Sequence, residues 1–457
     1  MQYARSILKT MTAIFGADTN SEEAWVDSDS FLTPREQLVR RVAVIMQWGA
    51  IINLIVLFAL NLLLAFDVVP ADTMGNWLFS EWIGTTGEMT IIGLVAIAGN
   101  MSILLLLSAS TGAQEFWSWL ILLALLIVNV IGLVVYRFYP AILGLVPALI
   151  GGFFMFRDWR AFHSNAVSVR ELRGRMRGVR SFAIITVFLL LMGSFVVLLY
   201  LLQLPRLRAE SVIITGNLGQ LLFFGVVGVE LMLIAFIVPA LTAGAITGER
   251  ERQTYDLLQT TLLSAPSFIV GKMESALGYI VLLLMSAIPL QSVAFLFGGV
   301  SQTEVYVTFI LLMATALLLG ALGMFFSATV DKTMSSTVRV YTTSIIIVFG
   351  LPLLSLFFFQ GAFVSAVNSV AINVPTAERE AFLIYGDMVW SSLNPITSAY
   401  YTQQMITAHQ EIFLLDVELQ NNTFIPVIAP WIITTVLYIG GTAWLLLLAV
   451  RRMRRGS

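Results

Sequence analysis

Residues 248–272 have the sequence GERERQTYDLLQTTLLSAPSFIVGK. This charged and amphipathic stretch lies between two segments that are each apolar and long enough to span a lipid bilayer. Charged groups are costly in hydrocarbon, so the stretch belongs in water on one side of a membrane. The fold therefore depends on how many apolar segments surround it and on which side it faces.

The composition indicates an integral membrane protein. Hydrophobic residues make up 58% of the 457 residues and charged residues 11%, whereas soluble domains have roughly 45–50% and about 25%. The formal net charge of -2 gives no indication of a nucleic-acid partner. The chain has no cysteine and two histidines, which excludes thiolate metal sites and Cys nucleophiles and makes a His-rich metal or proton-relay site unexpected. We expect no metal or cofactor in this chain.

Apolar windows of about 20 residues with few or no charges predict ten membrane-spanning helices. They lie near 42–66, 88–110, 116–136, 138–157, 181–204, 219–246, 273–298, 305–329, 338–360 and 426–450. If the N-terminus is cytoplasmic, alternation places 21 of the 25 Lys and Arg residues on the cytoplasmic side. Basic residues favour that side, so we expect both termini and residues 248–272 to face the cytoplasm.

Two segments between the predicted helices divide the chain further. The basic segment RDWRAFHSNAVSVRELRGRMRGVR, residues 157–180, is typical of a helix that lies at the lipid headgroups. The second segment, residues 361–425, is expected on the outer side and is called the outer segment. It is either a set of interfacial and re-entrant helices or an ordinary folded loop. The expected organisation is a cytoplasmic segment (1–41), a four-helix membrane region (42–157), a basic interfacial helix (158–180) and a six-helix unit (181–457) with outer segment 361–425.

Residues 249–263 are predicted to form a short cytoplasmic helix that ends before Pro266. Tyr255, Leu258 and Leu262 share one face at helical spacing, and the charged start suits the helix dipole. Two interpretations stay open: a docking helix that passes motion from a cytoplasmic partner into the membrane, or an interfacial helix that closes a loop.

The stretch from Pro239, PALTAGAITGERERQTYDLLQTTLLSAPSFIVGK, resembles the signature of type-two permeases of ATP-binding-cassette (ABC) transporters. In that family, small residues end the second core helix, and Glu-Arg, a Leu-rich coupling helix and Gly-Lys follow. Gln253 stands where glycine is usual, and Leu262 where proline is usual. The segment SSLNPITSAYYTQQM (391–405) is similar to an outer segment of those permeases. The resemblance covers residues 160–455 and implies ATPase-coupling roles for Glu249, Arg252, Thr254, Tyr255, Asp256, Leu257, Leu258, Leu262 and Lys272.

The chain itself has no phosphate-binding loop. Such a loop needs a glycine-rich turn and a Lys followed by Ser or Thr, and Lys9, Lys272 and Lys332 lack that context. The resemblance therefore implies a permease subunit, expected to be an exporter in a bacterial plasma membrane, that works as a homodimer or heterodimer. A separate ABC ATPase would bind ATP and Mg²⁺. The alternative is a non-transporting scaffold or regulatory subunit with a degenerate permease core. An intramembrane enzyme is disfavoured, because no catalytic set occurs at suitable spacing.

Glu230 is the one carboxylate deep inside a predicted spanning helix, in the sequence GVVGVELMLIAF. Such a residue is costly in lipid and is expected to face protein or water. It is either a cation or proton site in a translocation path, or a hydrogen-bonding partner of a neighbouring helix.

Overall fold

A computed structural model describes residues 34–66, 68–79, 86–157, 166–176, 179–209, 214–254, 265–357, 376–419 and 424–455. Within these ranges, nine helices are long and apolar enough to cross a membrane, and the shorter apolar helix Ala141–Arg157 has 17 residues. The chain is an all-α polytopic membrane protein, which confirms the predicted fold class. Each of the ten predicted segments coincides with a helix, while the number of crossings stays a prediction.

The described part of the N-terminal region contains five helices, of which the short second one was not predicted. They are α1 (Pro34–Ala65), α2 (Ala71–Leu78), α3 (Thr86–Gly112), α4 (Trp117–Val135) and α5 (Ala141–Arg157). α1 packs against α3 and α5 so closely that a Cβ atom on Gly151 would collide with Met46. Asn100 and Asn129 exchange hydrogen bonds of 2.8 and 2.9 Å between α3 and α4, which satisfies amides that are costly to bury unpaired. Residues 1–33 of the expected cytoplasmic segment lie outside the described residues.

The core contains the remaining helices and one β-hairpin. The elements are α6 (Ala166–Met176), α7 (Val179–Ala209), α8 (Ile214–Thr242), α9 (Thr247–Glu251), α10 (Ala265–Phe297), α11 (Gln302–Thr329), α12 (Thr333–Ile345), a π-turn (Ile346–Gly350), α13 (Leu351–Phe357), α14 (Thr376–Ser392), α15 (Pro395–His409), β1 (Leu414–Glu418), β2 (Phe424–Ile428) and α16 (Pro430–Arg455). α11 is packed between α8, α10 and α16. Gly323 permits the contact with α8, because a Cβ atom there would collide with Thr242.

The N-terminal region lies beside the core and joins it mainly through α3 and α16. The Ser102 hydroxyl donates to the carbonyl oxygen of Val436 at 3.1 Å. A Cβ atom on Gly440 would lie 2.8 Å from that same hydroxyl oxygen, so glycine permits the close approach of the two helices. A polar link of this kind favours one register between helices, since apolar surfaces alone gain little from contact inside lipid.

The outer segment differs from either simple expectation, because it combines two helices with a hairpin. β1 and β2 pair antiparallel with Leu414 opposite Ile428, and the hairpin was not predicted. Val427 of β2 and Met388 of α14 pack with Ile91 and Val95 of α3. Residues 358–375 and 420–423 of this part of the chain lie outside the described residues. The hairpin therefore fastens the outer segment to the N-terminal region as well as to the core.

The basic interfacial helix was predicted over 158–180, and α6 occupies Ala166–Met176 within it. Arg170 and Arg173 are exposed, while Leu172 packs on Gly278 of α10. Residues 158–165 and 177–178 lie outside the described residues. α6 thus exposes Arg170 and Arg173 and packs against α10 through Leu172.

Candidate functional site

The predicted coupling stretch begins where α8 ends at Thr242. Residues 243–246 form a turn that leads into the short helix α9. The Ser327 hydroxyl of α11 accepts hydrogen bonds from the backbone N–H groups of Ile246 and Thr247 at 2.9 and 3.1 Å. N–H groups at the start of a helix have no intrahelical partner, so Ser327 satisfies them and fixes the turn to α11.

The start of α12 holds α9 from the other side. The Glu251 carboxylate accepts a hydrogen bond of 2.7 Å from the backbone N–H of Thr333, and the Ser336 hydroxyl donates to the carbonyl oxygen of Ala243 at 2.8 Å. Arg250 forms a salt bridge of 3.3 Å with Asp331. The turn and α9 are therefore fastened to two neighbouring core helices.

α9 ends in a Schellman motif that begins the connection to α10. The N–H of Gln253 donates to the carbonyl oxygen of Arg250, and the N–H of Thr254 donates to that of Glu249, both at 3.0 Å. Gln253 has a φ of 57°. These two hydrogen bonds and the left-handed residue define the motif. Glycine adopts this conformation without a steric cost, which gives a physical reason for the glycine that is usual at this position in the resembling family.

The expectation of one helix over 249–263 is wrong at its start. The helix ends at Glu251, because Gln253 takes up a left-handed conformation that an α-helix cannot continue. Five predicted coupling residues lie outside the described residues: Tyr255, Asp256, Leu257, Leu258 and Leu262. Pro266 lies in the first turn of α10, where its missing N–H removes no helical hydrogen bond.

Three charged side chains meet where α6, α9 and α10 come together. We call Glu171, Glu249 and Lys272 the junction triad. The Lys272 ammonium lies 2.8 Å from Glu171 Oε1 and 2.9 Å from Glu249 Oε1, and its side chain is 7% exposed. The ring of Phe268, one turn earlier, lies 5.1 Å from the ammonium. An ammonium this deeply buried needs paired carboxylates to offset its desolvation, so the triad ties the three helices together electrostatically.

The two glutamates of the junction triad are themselves held in place. The Thr254 hydroxyl donates to Glu249 Oε2 at 2.5 Å, and Arg175 lies 3.5 Å from Glu171. Burial lowers the pKa of Arg175 below its ordinary value, and the charge of Glu171 counteracts part of that effect. Each carboxylate thus has a second partner that orients it towards Lys272.

The structure brings together three of the nine predicted coupling residues: Glu249, Thr254 and Lys272. Arg252 caps α9 and is exposed. The Gly-Lys pair was expected at the start of its helix, but α10 begins at Ala265 and places Lys272 two turns inside it. Sequence reasoning missed Glu171, which came from the basic segment; its position among arginines gave no signal of a partner on α10.

The side chain of Asn394, in the outer SSLNPIT segment, makes two sets of hydrogen bonds. Its side-chain oxygen caps α15 by accepting hydrogen bonds from the N–H groups of Ile396 and Thr397 at 2.8 and 3.2 Å. Its amide nitrogen donates to the carbonyl oxygens of Ile347 and Val348 at 2.5 and 2.9 Å. Asn394 is 1% exposed. One side chain thus joins the start of α15 to the π-turn that precedes α13.

The π-turn explains why those two carbonyl groups need an outside donor. The N–H of Leu351 donates to the carbonyl oxygen of Ile346, one residue further back than in an α-helix. Pro352, the next residue, has no N–H to donate. The carbonyl groups of Ile347 and Val348 therefore lose their usual helical partners, and the Asn394 amide replaces both.

Glu230 is buried on α8 and accepts hydrogen bonds from Gln291 of α10. The Gln291 Nε2 atom lies 2.9 Å from each carboxylate oxygen, and Glu230 is 1% exposed. The contact matches the interpretation of Glu230 as a hydrogen-bonding partner between helices. Whether it also lies on a translocation path stays a prediction.

α12 has a polar face that sequence reasoning did not single out. Arg339 and Thr342 are exposed, and Ser335 is half-buried, at the i, i+4 and i+7 spacing of one helix face. α12 forms the first part of Thr333–Leu354, one of the nine helical stretches that are long and apolar enough to span a membrane. Polar and charged residues on a spanning helix face protein or water rather than lipid. The spacing could have identified this face from the sequence.

Neither a protein-family model nor a curated protein matches this chain.

Proposed function

We propose that the chain is the membrane-spanning permease subunit of an ABC transporter in a bacterial plasma membrane, with both termini in the cytoplasm. It moves substrate outward by alternating access. Separate cytoplasmic ATPase subunits bind ATP and Mg²⁺ and supply the energy, and a second permease chain completes the transporter.

The junction triad is the observation that carries this proposal. The segment 255–264 connects α9 to α10, and the described residues on either side of it are held in place. Ser327 and the Schellman motif fix its departure, and Lys272 fixes its return by pairing with Glu249 and Glu171. A force applied by an ATPase to this segment would reach α8, α10 and α6 together. In the predicted topology, the basic residues that favour a cytoplasmic location lie on the same side of the membrane as this segment.

The polar face of α12 supports a role in transport. Arg339, Thr342 and Ser335 would be costly in lipid, and a second permease chain facing them would enclose a water-filled path. This arrangement suits either a homodimer or a heterodimer.

The proposal is tested by co-expressing the chain with an ABC ATPase encoded beside it and purifying through a tag on the chain. Helix anchors at the centre of a contact contribute about 2 kcal/mol or more each. The double variant Tyr255→Asp, Leu258→Asp should therefore lose the ATPase. The matched control, Tyr139→Asp with Phe424→Asp, replaces residues that are exposed on the predicted outer side and should retain it.

Two results would contradict the proposal. Failure of the unmodified chain to capture any ABC ATPase would remove the permease assignment. Equal capture by the double Asp variant and by its control would leave an ATPase partner but refute docking at 255–262.

The alternative is a non-transporting scaffold or regulatory subunit, and one observation favours it. The N-terminal region is fastened to α16 by Ser102 and to the outer hairpin by Ile91 and Val95, so a region without a transport role of its own in this proposal packs closely on the permease core. ATP-dependent substrate movement in vesicles would exclude this alternative, and ATPase binding without any movement would favour it.

A further inference from the structure

α6 supplies Glu171 to the junction triad and exposes a different set of side chains to its surroundings. Val169, Arg173 and Met176 follow one another at the i, i+4 and i+7 spacing of one helix face, and Arg170 lies one turn before Arg173. Val169 and Met176 are 39% and 43% exposed, and both arginines are exposed. We call these four residues the basic face of α6. It combines two apolar side chains with two guanidinium groups.

The positive charge of the basic face is not balanced by α6 itself. In the part of the chain that the structure describes, the ion pairs of α6 join Glu171 to Lys272 at 2.8 Å and Arg175 to Glu171 at 3.5 Å. Arg170 and Arg173 take part in neither pair. Glu171 is the one carboxylate in the sequence of α6, AVSVRELRGRM, and the junction triad already engages it. The basic face therefore carries two positive charges that attract an anionic partner.

The contacts between α6 and α10 place α6 at the level where α10 becomes free of charge. Glu171 pairs with Lys272, and Leu172 packs on Gly278, where a Cβ atom would lie 3.2 Å from the leucine. Residues 275–297 contain no charged side chain, and such a run is long enough to cross the hydrocarbon of a bilayer. α6 thus contacts α10 on both sides of this boundary, which is the level of the lipid headgroups.

We infer that the basic face of α6 binds the headgroups of anionic phospholipids, and that lipid bound there steadies the junction triad. Arg170 and Glu171 are neighbours on a helix of 11 residues, so a lipid that fixes the arginine also restricts the carboxylate that holds Lys272. In the predicted topology this lipid belongs to the cytoplasmic leaflet. The inference goes beyond the proposed function, because it holds whether or not an ATPase binds.

Charge and depth favour a lipid surface over other occupants of the basic face. A second copy of this chain would bring two like-charged faces together, which is unfavourable. An acidic groove on a cytoplasmic protein would match the arginines, but it would have to reach the charge-free part of α10. An anionic leaflet accepts Val169 and Met176 at the acyl boundary and strengthens binding by about 5-fold for each basic residue near its surface.

The first test measures thermal unfolding of the full-length protein in detergent while dioleoyl phosphatidylglycerol or dioleoyl phosphatidylcholine is added. A ligand of the folded state raises the apparent Tm, so phosphatidylglycerol should raise it at concentrations at which phosphatidylcholine does not. Arg170→Gln with Arg173→Gln should need on the order of 25-fold more phosphatidylglycerol for the same rise, at about 5-fold per arginine. Arg170→Lys with Arg173→Lys keeps the charge and should retain most of the response.

Two controls separate the basic face from charge in general. Arg157→Gln with Arg452→Gln removes two exposed arginines from the ends of α5 and α16 and should respond to phosphatidylglycerol like the unmodified protein. Glycerol 3-phosphate carries the negative charge without acyl chains and should not raise the apparent Tm at the same concentrations. An equal rise with both phospholipids, or an equal loss of response in the control pair and in the α6 pair, would overturn lipid binding at α6.

The second test concerns the junction triad. Lys272→Met removes the ion pair through which Glu171 joins α6 to α10, so phosphatidylglycerol should raise its apparent Tm by less than that of the unmodified protein. Asn394→Ala is destabilised at the π-turn instead and should keep the full rise. An equal rise in Lys272→Met and in the unmodified protein would overturn the link between bound lipid and the triad. None of these measurements depends on an ATPase.

Discussion

Replacing Asn394 by alanine should destabilise the protein by about 3–5 kcal/mol. Loss of the helix cap of α15 costs about 1 kcal/mol. Two buried carbonyl groups, those of Ile347 and Val348, would lose their donor, and each unsatisfied group costs roughly 1–3 kcal/mol. Taking about 1–2 kcal/mol for each carbonyl group, because two neighbouring groups can share one rearrangement or one water, gives the stated range.

The variant Asn394→Asp separates the role of this side chain as acceptor at the helix cap from its role as donor to the π-turn. A carboxylate of the same size keeps the cap, because it can still accept from Ile396 and Thr397. It cannot donate to the two carbonyl oxygens, which it would repel. We therefore expect Asn394→Asp to be at least as destabilised as Asn394→Ala, although helix caps alone rank aspartate with asparagine.

Thermal unfolding of the purified variants measures the effect. At about 1 °C per kcal/mol, which follows from roughly 2.1 cal/mol/K of unfolding entropy per residue in a chain of this length, Asn394→Ala should lower the apparent Tm by roughly 3–5 °C. Asn61→Ala is the control, since Asn61 is exposed and its amide bonds only to its own helix. An Asn394→Asp variant as stable as the unmodified protein would refute the role of the amide as donor to the π-turn.

Three further changes test other parts of the structure. Gln253→Gly should raise the unfolding free energy by about 0.5–1 kcal/mol, because glycine adopts the left-handed conformation freely; a lower Tm would contradict the Schellman assignment. Glu230→Leu should destabilise by roughly 1–3 kcal/mol, because it leaves the half-buried Gln291 without its partner; adding Gln291→Leu should recover most of that loss in a thermal double-mutant cycle. A reporter fused after Ser457 should be active only as a cytoplasmic reporter, and one within 365–420 only as an external reporter; the opposite pattern would refute the topology.

The spanning segments could be predicted from sequence because lipid imposes a long apolar run on every crossing. The ends of the helices could not. α1 begins at Pro34 rather than near 42, since the helix continues through Arg40 and Arg41 into the charged turns that a charge-free window leaves out. α10 likewise begins at Ala265 rather than near 273, because Lys272 is paired with Glu171 and Glu249 inside the protein instead of exposed to lipid.

The candidate site could be predicted only in part. Glu249 and Lys272 lie in one short stretch, so their proximity was open to sequence reasoning. Glu171 comes from a helix about a hundred residues earlier, and Asn394 bonds to backbone carbonyl groups, which carry no side-chain signature. Partners of this kind are fixed by tertiary packing, and local patterns do not encode them.

The role of the junction triad in coupling can be tested by measuring ATP hydrolysis by the co-purified ATPase when it is bound to the chain in lipid vesicles. Lys272→Met keeps the length of the side chain and leaves Glu171 and Glu249 facing each other without a cation. Because both carboxylates are about a quarter exposed, the destabilisation should stay below the roughly 3–5 kcal/mol of a fully buried pair, and the protein should still fold. We predict that Lys272→Met binds as much ATPase as the unmodified chain but lowers the permease-dependent change in hydrolysis rate by on the order of 10-fold. An unchanged hydrolysis rate in Lys272→Met, with equal ATPase bound, would contradict transmission of force through the junction triad.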